Sequence, residues 1–192
     1  MVRSTRILAA IALLGTTFGL TAAPADAAPA TATATQSGTV CPTGWGSLPE
    51  TRTAATSHPV RNVRAGRHTC WDRLVVDVPG VKAGGLGYSV RYVDRLHQDG
   101  SGRVIPVSGG AVLEVRVTAP AYDPATGGPA YPGRAGDPLP GVGLAGYRTF
   151  RDARFAGSFE GDTQIGLGVR ARLPFRVLTL DGHVVVDVAH TW

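Results

Sequence analysis

Hydrophobic and polar residues alternate along much of the chain. The segments GYSVRYVD (residues 87–94), AVLEVRV (111–117) and TQIGLGVRARL (163–173) each place apolar side chains at every second position. Because successive side chains of a β-strand point to opposite faces, this pattern predicts half-buried strands. The last segment predicts one long strand that Pro174 ends, with a core face formed by Ile165, Leu167, Val169, Ala171 and Leu173.

Turn residues separate these segments. The strands FRVLTL (175–180) and HVVVDV (183–188) are joined by Asp181 and Gly182, a strong two-residue hairpin signal. HQDGSGR (97–103) predicts another turn. The 26 glycines and 14 prolines fall at the joints, and no segment has a convincing helical period. The pattern therefore predicts an all-β fold, an antiparallel β-sandwich or open barrel.

The stretch RHTCWDRLVVDVPG (67–80) combines such a strand with residues that could carry chemistry. Its alternation predicts Leu74, Val76 and Val78 in the core, and Arg73 and Asp77 on the outer face. HVVVDV repeats this pattern near the C-terminus and predicts a second strand of the same type.

Residues 119–146 form a long loop that is too rich in proline and glycine for a central strand. Loops of this length inside a compact domain are often binding loops. Tyr122 and Tyr131 could stack on a sugar there, while Arg134 and Asp137 could bind hydroxyls or a carboxylate. We expect these four to be ligand-binding residues and neither tyrosine ring to belong to the core.

The other aromatic residues are expected either to stack on a ligand or to have a structural role. Trp45 and Tyr147 lie in or beside irregular segments, where an exposed ring could also stack on a sugar. Trp71 and Trp192 at strand ends are more often structural.

The chain begins with the features of an export signal. Arg3 and Arg6 precede an apolar run of about 14 residues, and ADA (25–27) offers a cleavage site. The run is shorter than the ~20 residues of a membrane span. We therefore expect a signal peptide over 1–27, a flexible Ala/Thr/Pro leader over 28–40 and one domain over 41–192, secreted and without a membrane span.

Cys41 and Cys70 are the two cysteines of the chain. In an exported protein they predict one disulfide. Its loop of roughly 30 residues would stabilise the fold by about 3–4 kcal/mol in the chain-entropy model.

Charge argues against nucleic acid as a partner. Without the signal the chain has 17 basic and 13 acidic residues, and the arginines are dispersed rather than clustered. Such a mild excess allows weak attraction to anionic envelope polymers.

Catalytic and metal-binding motifs are weak. His68, Cys70 and Asp72 could share a strand face, but a disulfide-bonded cysteine is not a thiolate ligand, so no metal site and no cofactor is predicted. The chain has no G-x-S-x-G motif and no unpaired cysteine. Glu160 and Asp162 flank a glycine and could act as the paired carboxylates of a glycosidase, although acidic residues at such positions usually form turns.

Whole segments resemble a known family. CPTGWGSLP, CWDRLVVDVPG, YSVRYVD, LEVRVTAPAYDP and the final stretch from YRTFRDARFAG onward are similar to the AMIN-like domain proteins exported by bacteria. The resemblance spans about residues 41–192. It implies a distant relation to the AMIN domain, a β-sandwich found beside peptidoglycan amidases and on secretins, where it helps to localise its host in the envelope. The family supplies no binding residues, and the 119–146 loop enlarges its module.

These observations predict a secreted, non-enzymatic module that binds an envelope component, with a cell-wall glycan as the favoured ligand. Two alternatives stay open: a protein-binding module that uses its sheet edges, and a small glycan hydrolase that uses Glu160 and Asp162. The sequence specifies neither the partner nor an oligomeric state.

Overall fold

The computed structural model describes residues 40–192 and consists of antiparallel strands with one short 3-10 turn. The predicted signal peptide and all but the last residue of the predicted leader lie outside the described residues. In chain order the elements are β1 (Glu50–Arg52), β2 (Asn62–Arg67), β3 (Trp71–Asp77), the 3-10 turn (Ala83–Gly85), β4 (Tyr88–Val93), β5 (Leu96–His97), β6 (Val104–Ile105), β7 (Ala111–Val117), β8 (Phe150–Phe159), β9 (Asp162–Val169), β10 (Phe175–Leu180) and β11 (His183–Ala189). Within this part of the chain no helix is long and apolar enough to cross a bilayer.

The strands form two principal sheets. One has the order β1-β4-β7-β9-β8, the other has the order β10-β11-β3-β2, and β5 and β6 form a separate hairpin. All pairings are antiparallel. Because the two sheets stay separate and share a core, the predicted sandwich is confirmed.

The core lies between the two sheets and follows the alternation of the sequence. Leu74 and Val76 on β3 belong to the same buried cluster as Leu113 and Val115 on β7, and all four are fully buried. Val184, Val186 and Val188 on β11 contribute in the same way, as the repeated strand pattern predicts.

Strand β9 differs from its prediction in length and burial. It ends at Val169 rather than at Pro174, and its second face is also buried. The β5–β6 hairpin covers that face, and Leu96 lies where a side chain on Gly166 would be. The alternating glycines of β9 thus make room for the hairpin that covers them. In the sequence, the same alternation of glycine with apolar residues is typical of a strand with one solvent-exposed face.

The segment that contains β1 bridges the two sheets along one open side of the sandwich. The Phe175 amide of β10 donates to the Gly46 carbonyl at 2.8 Å, and the Val177 amide donates to the Glu50 carboxylate at 3.1 Å. The same segment then pairs with β4 through residues 50–52. It therefore links the four-stranded sheet to the five-stranded sheet, and burial raises the pKa of Glu50.

The 119–146 loop covers the edge of β8. Three backbone hydrogen bonds of 2.8–3.0 Å join the loop to β8. The Gly136 amide donates to the Phe155 carbonyl, the Phe155 amide to the Asp137 carbonyl, and the Leu139 amide to the Ala153 carbonyl. Leu139 is 2% exposed and belongs to the core. The loop is therefore packed structure along much of its length.

Tyr131 is the clearest departure from expectation. Its side chain is 3% exposed, packs against the Phe155 ring and belongs to the core. Burial raises the pKa of its phenol to about 12. The expectation that this ring is not core is wrong, because a tyrosine in a Gly/Pro-rich loop can fill the gap that the loop spans.

Candidate functional site

The disulfide positions one tryptophan over the outer face of the four-stranded sheet. Cys41 and Cys70 are bonded, with their Cα atoms 5.4 Å apart, so the predicted pairing is present. The backbone bridge between Gly46 and Phe175 then sets Trp45 beside Arg176. The rings and ion pairs that meet here, formed by Trp45, Trp71, Arg73, Arg176 and Asp187, are called the arginine–tryptophan face.

An ion-pair cluster forms the centre of this face. Strand register places Asp187 on β11 opposite Arg73 on β3 and opposite Arg176 on β10. Arg73 donates from Nε at 2.6 Å and from Nη2 at 2.8 Å, and Arg176 donates from Nε at 2.9 Å. The Asp187 side chain has no exposed surface, whereas those of Arg73 and Arg176 are 25% and 31% exposed. The hydrogen bond to Asp187 raises the pKa of Arg73.

Two indole rings continue the face from the ion pairs. The Arg176 guanidinium lies 4.3 Å from the centroid of the Trp45 ring and 5.2 Å from that of Trp71, within cation–π range. The two rings are 5.7 Å apart and tilted, and His68 stacks on Trp71 at 5.0 Å. The rings are thus held in place by neighbouring side chains.

The opposite end of the same sheet face is polar. The Asp77 carboxylate accepts hydrogen bonds from Asn62 and Arg64 at 3.0 and 3.1 Å, and lies 2.7 Å from Nδ1 of His183. Leu180 on β10, 52% exposed, lies opposite His183 in the register.

The arrangement combines flat apolar rings with positive charge and spare donors. Asp187 neutralises one of the two guanidinium charges. Each guanidinium has five N–H donors, and the Asp187 contacts occupy only part of them. The face can therefore accept a ligand that offers both an apolar surface and acceptor oxygens.

The loop residues predicted to bind a ligand lie in different environments. Tyr122 is partly buried and forms a backbone bridge with Pro129. Arg134 and Asp137 are both exposed, and the Asp137 amide donates to the Arg134 carbonyl. Their ligand-binding role stays a prediction.

Glu160 lies in the turn between β8 and β9, and Asp162 is the first residue of β9. Glu160 has φ 49°, in the left-handed region that tight hairpin turns require, and Gly161 has φ 86°. The geometry thus gives this acidic pair a local structural role.

His68, Cys70 and Asp72 do not converge. Asp72 points inward, is 1% exposed and accepts hydrogen bonds from the Thr149 and Phe150 amides, which ties β3 to the start of β8. Within residues 40–192 no group of three or more His, Cys, Asp or Glu side chains could hold a metal ion.

The five-stranded sheet also has a charged outer cluster. Glu114 is 5% exposed and bonds to Arg91 at 2.8 Å and to Gln164 at 2.6 Å. Burial tends to raise its pKa, but the hydrogen bonds from Arg91 and Gln164 outweigh it, so the pKa is lowered. Glu114, Arg91 and Gln164 include no aromatic ring. The charge of Glu114 is paired with that of Arg91 inside the cluster.

Sequence reasoning identified Arg73 as outward-facing and Trp45 as a possible stacking ring, but it assigned Trp71 a structural role. It did not bring these residues together with Arg176 and Asp187. The available sequence signal was the presence of Arg or Asp at outward positions of strands β3, β10 and β11. That signal was not sufficient, because the strand register decides which of these side chains meet.

Comparison with known protein families identifies the family of this domain. The model of the AMIN-like domain matches residues 58–190. Searches of curated proteins and of solved structures found no match.

Proposed function

Because the chain belongs to the AMIN-like domain family, we propose that it is a non-enzymatic cell-envelope module that binds a cell-wall glycan on the arginine–tryptophan face. The observation that carries the proposal is the meeting of two indole rings with two partly exposed guanidinium groups on one sheet face.

The chemistry of sugars supports this choice of ligand. A pyranose ring has an apolar face of C–H groups and an edge of hydroxyls. Indole rings offer rigid apolar surface at low entropic cost. Guanidinium donors suit hydroxyl and carboxylate oxygens, and wall glycans carry both.

The rival hypothesis of protein binding at sheet edges has less support. Residues 46–50 occupy part of the β10 edge, and residues 136–139 occupy part of the β8 edge. An added strand would have to displace these contacts, so only the remaining edges could serve as docking rails.

Binding is tested by co-sedimentation of the exported protein with purified sacculi over a range of salt concentrations. The test variant combines Arg73→Met, Arg176→Met and Asp187→Leu, because replacing a whole buried ion cluster with apolar residues usually preserves the fold. We expect at least a tenfold loss of sacculus binding with the melting temperature retained. The control is Arg95→Met, which changes the net charge by the same amount on an exposed residue and should bind like the parent.

Two results would overturn the proposal. Sacculus binding that survives in the folded triple variant would remove the arginine–tryptophan face as the site. Release of reducing sugars from sacculi by the parent protein, abolished by Glu160→Gln or Asp162→Asn, would establish the hydrolase instead.

A further inference from the structure

A second concave site lies beside the arginine–tryptophan face. A cavity of about 280 Å³ is bounded by Trp45 and Trp192 together with the disulfide and two prolines. We name it the disulfide pocket, and its principal lining residues are Cys41, Pro42, Trp45, Cys70, Pro174 and Trp192.

Most of the pocket lining lies outside the range that the family model matches. Residues 41–45 and 191–192 line it, and both stretches lie outside the matched range 58–190. The disulfide binds the first of these stretches to Cys70 at the head of β3. One wall, residues 41–45, is therefore fixed covalently to the head of β3.

Trp192 is positioned but not covered. It is 76% exposed, the kind of large apolar exposure that marks interaction sites when several such residues adjoin. Its indole Nε1 donates to the Arg172 carbonyl at 3.2 Å, which fixes the ring without hiding it.

From these contacts we propose that the disulfide pocket binds one N-acetylated amino-sugar unit of a glycan chain. The inference rests on the proposed function, because it names the sugar that the same glycan would present next to the arginine–tryptophan face. Trp45 contacts Arg176 of that face and also lines the pocket, so the two sites are contiguous.

Size and chemistry favour this occupant. The cavity is slightly smaller than the roughly 300–1,000 Å³ of pockets for drug-sized ligands, which leaves room for one sugar ring with a short substituent. The apolar methyl of an acetamido group suits a wall of proline, disulfide and indole. Thr43 and Thr191 are also lining residues, and a threonine hydroxyl can both donate and accept a hydrogen bond.

The test uses neutral trisaccharides followed by indole fluorescence and calorimetry. Chitotriose carries acetamido groups, and cellotriose has the same linkage without them. We expect the parent protein to bind chitotriose in the millimolar range and to bind cellotriose at least tenfold more weakly. Equal binding of the two sugars, or no binding of chitotriose, would overturn the inference.

Variants locate the binding. Trp192→Ala should weaken chitotriose binding at least tenfold, and Trp192→Phe, which keeps a ring, should lose no more than about threefold. Leu48→Ala is the matched control, because Leu48 is equally exposed and lies outside the pocket lining. Chitotriose binding that is unchanged in Trp192→Ala would overturn the assignment of the pocket.

The two proposals fail separately. If sacculus binding is lost in the triple arginine-cluster variant while chitotriose does not bind the parent, only the pocket is wrong. If the triple variant keeps sacculus binding while chitotriose binding depends on Trp192, the pocket stands and the arginine–tryptophan face is wrong.

Discussion

Asp187 on strand β11 accepts two hydrogen bonds from Arg73 on strand β3, at 2.6 and 2.8 Å, and its side chain has no exposed surface. A second guanidinium, that of Arg176, binds the same carboxylate from the other side. The cluster thus spans three adjacent strands, and its stability depends on all three members.

Removing the carboxylate alone should be costly. We expect Asp187→Ala to lower the free energy of unfolding by about 3–5 kcal/mol, because it leaves two partly buried guanidinium groups without their counter-charge. Urea unfolding measures the change. The triple variant with Met at 73 and 176 and Leu at 187 serves as the control and should stay within about 2 kcal/mol of the parent. A loss below about 1 kcal/mol in Asp187→Ala would contradict the structural role of the ion pair.

Tyr131 should behave as a core residue. We expect Tyr131→Ala to cost about 3–5 kcal/mol of unfolding free energy. Its hydroxyl is buried without a hydrogen-bond partner, so Tyr131→Phe should cost nothing or stabilise the protein. Tyr122→Ala is the matched control in the same loop and should cost less than about 1 kcal/mol. A similar loss for both alanine variants would contradict the difference in burial.

The same tyrosine predicts an alkaline loss of stability. Its phenol has a pKa of about 12 in the folded protein and an ordinary value of 10.0. Between these values the unfolded chain releases the proton while the folded protein keeps it, so stability falls as pH rises from 10 to 12. Melting temperatures across this window should fall less steeply in Tyr131→Phe than in the parent. Identical slopes would show that this phenol makes no contribution.

The glycines of β9 provide a test of packing. A Cβ on Gly168 would lie 1.9 Å from the Ser108 carbonyl oxygen. Because that oxygen belongs to the backbone, the clash can be relieved only by moving the main chain. We expect Gly168→Ala to cost 1–3 kcal/mol or more by chemical unfolding. Gly143→Ala is the control, because a Cβ there has no neighbour within 4 Å, and its stability should be nearly unchanged.

The disulfide should contribute substantially to stability. It closes a loop with a sequence separation of 29 residues, for which the chain-entropy model gives about 3–4 kcal/mol. Replacing both Cys41 and Cys70 with serine should lower the unfolding free energy by that amount. Mass spectrometry of the parent protein, purified without reductant, should detect no free thiol. Two free thiols, or an unchanged unfolding midpoint in the double variant, would contradict this prediction.

The strands and their core faces could be predicted from the sequence by itself. Alternation identified Leu74, Val76 and Val78 as core positions, and Asp181 with Gly182 identified the last hairpin. Both signals are local, since the side-chain period of a strand and the geometry of a two-residue turn depend only on neighbouring residues. The disulfide followed from cysteine count.

Tertiary structure decided which surfaces are covered. Tyr131 lies in a loop with no period, and its burial depends on β8 offering an edge to which residues 136–139 bond. The glycine face of β9 is covered by a hairpin that lies over sixty residues earlier in the chain. No local pattern encodes contacts of that sequence separation.

The candidate site likewise depends on register. The sequence determined that Arg73 and Asp187 point outward from strands of the same type. Only the pairing of β3, β11 and β10 places both guanidinium groups on one carboxylate. A shift of one residue in either pairing would turn the partner side chains to opposite faces and separate the charges. The sequence thus supplied the side chains, and the register of three strands assembled them into a site.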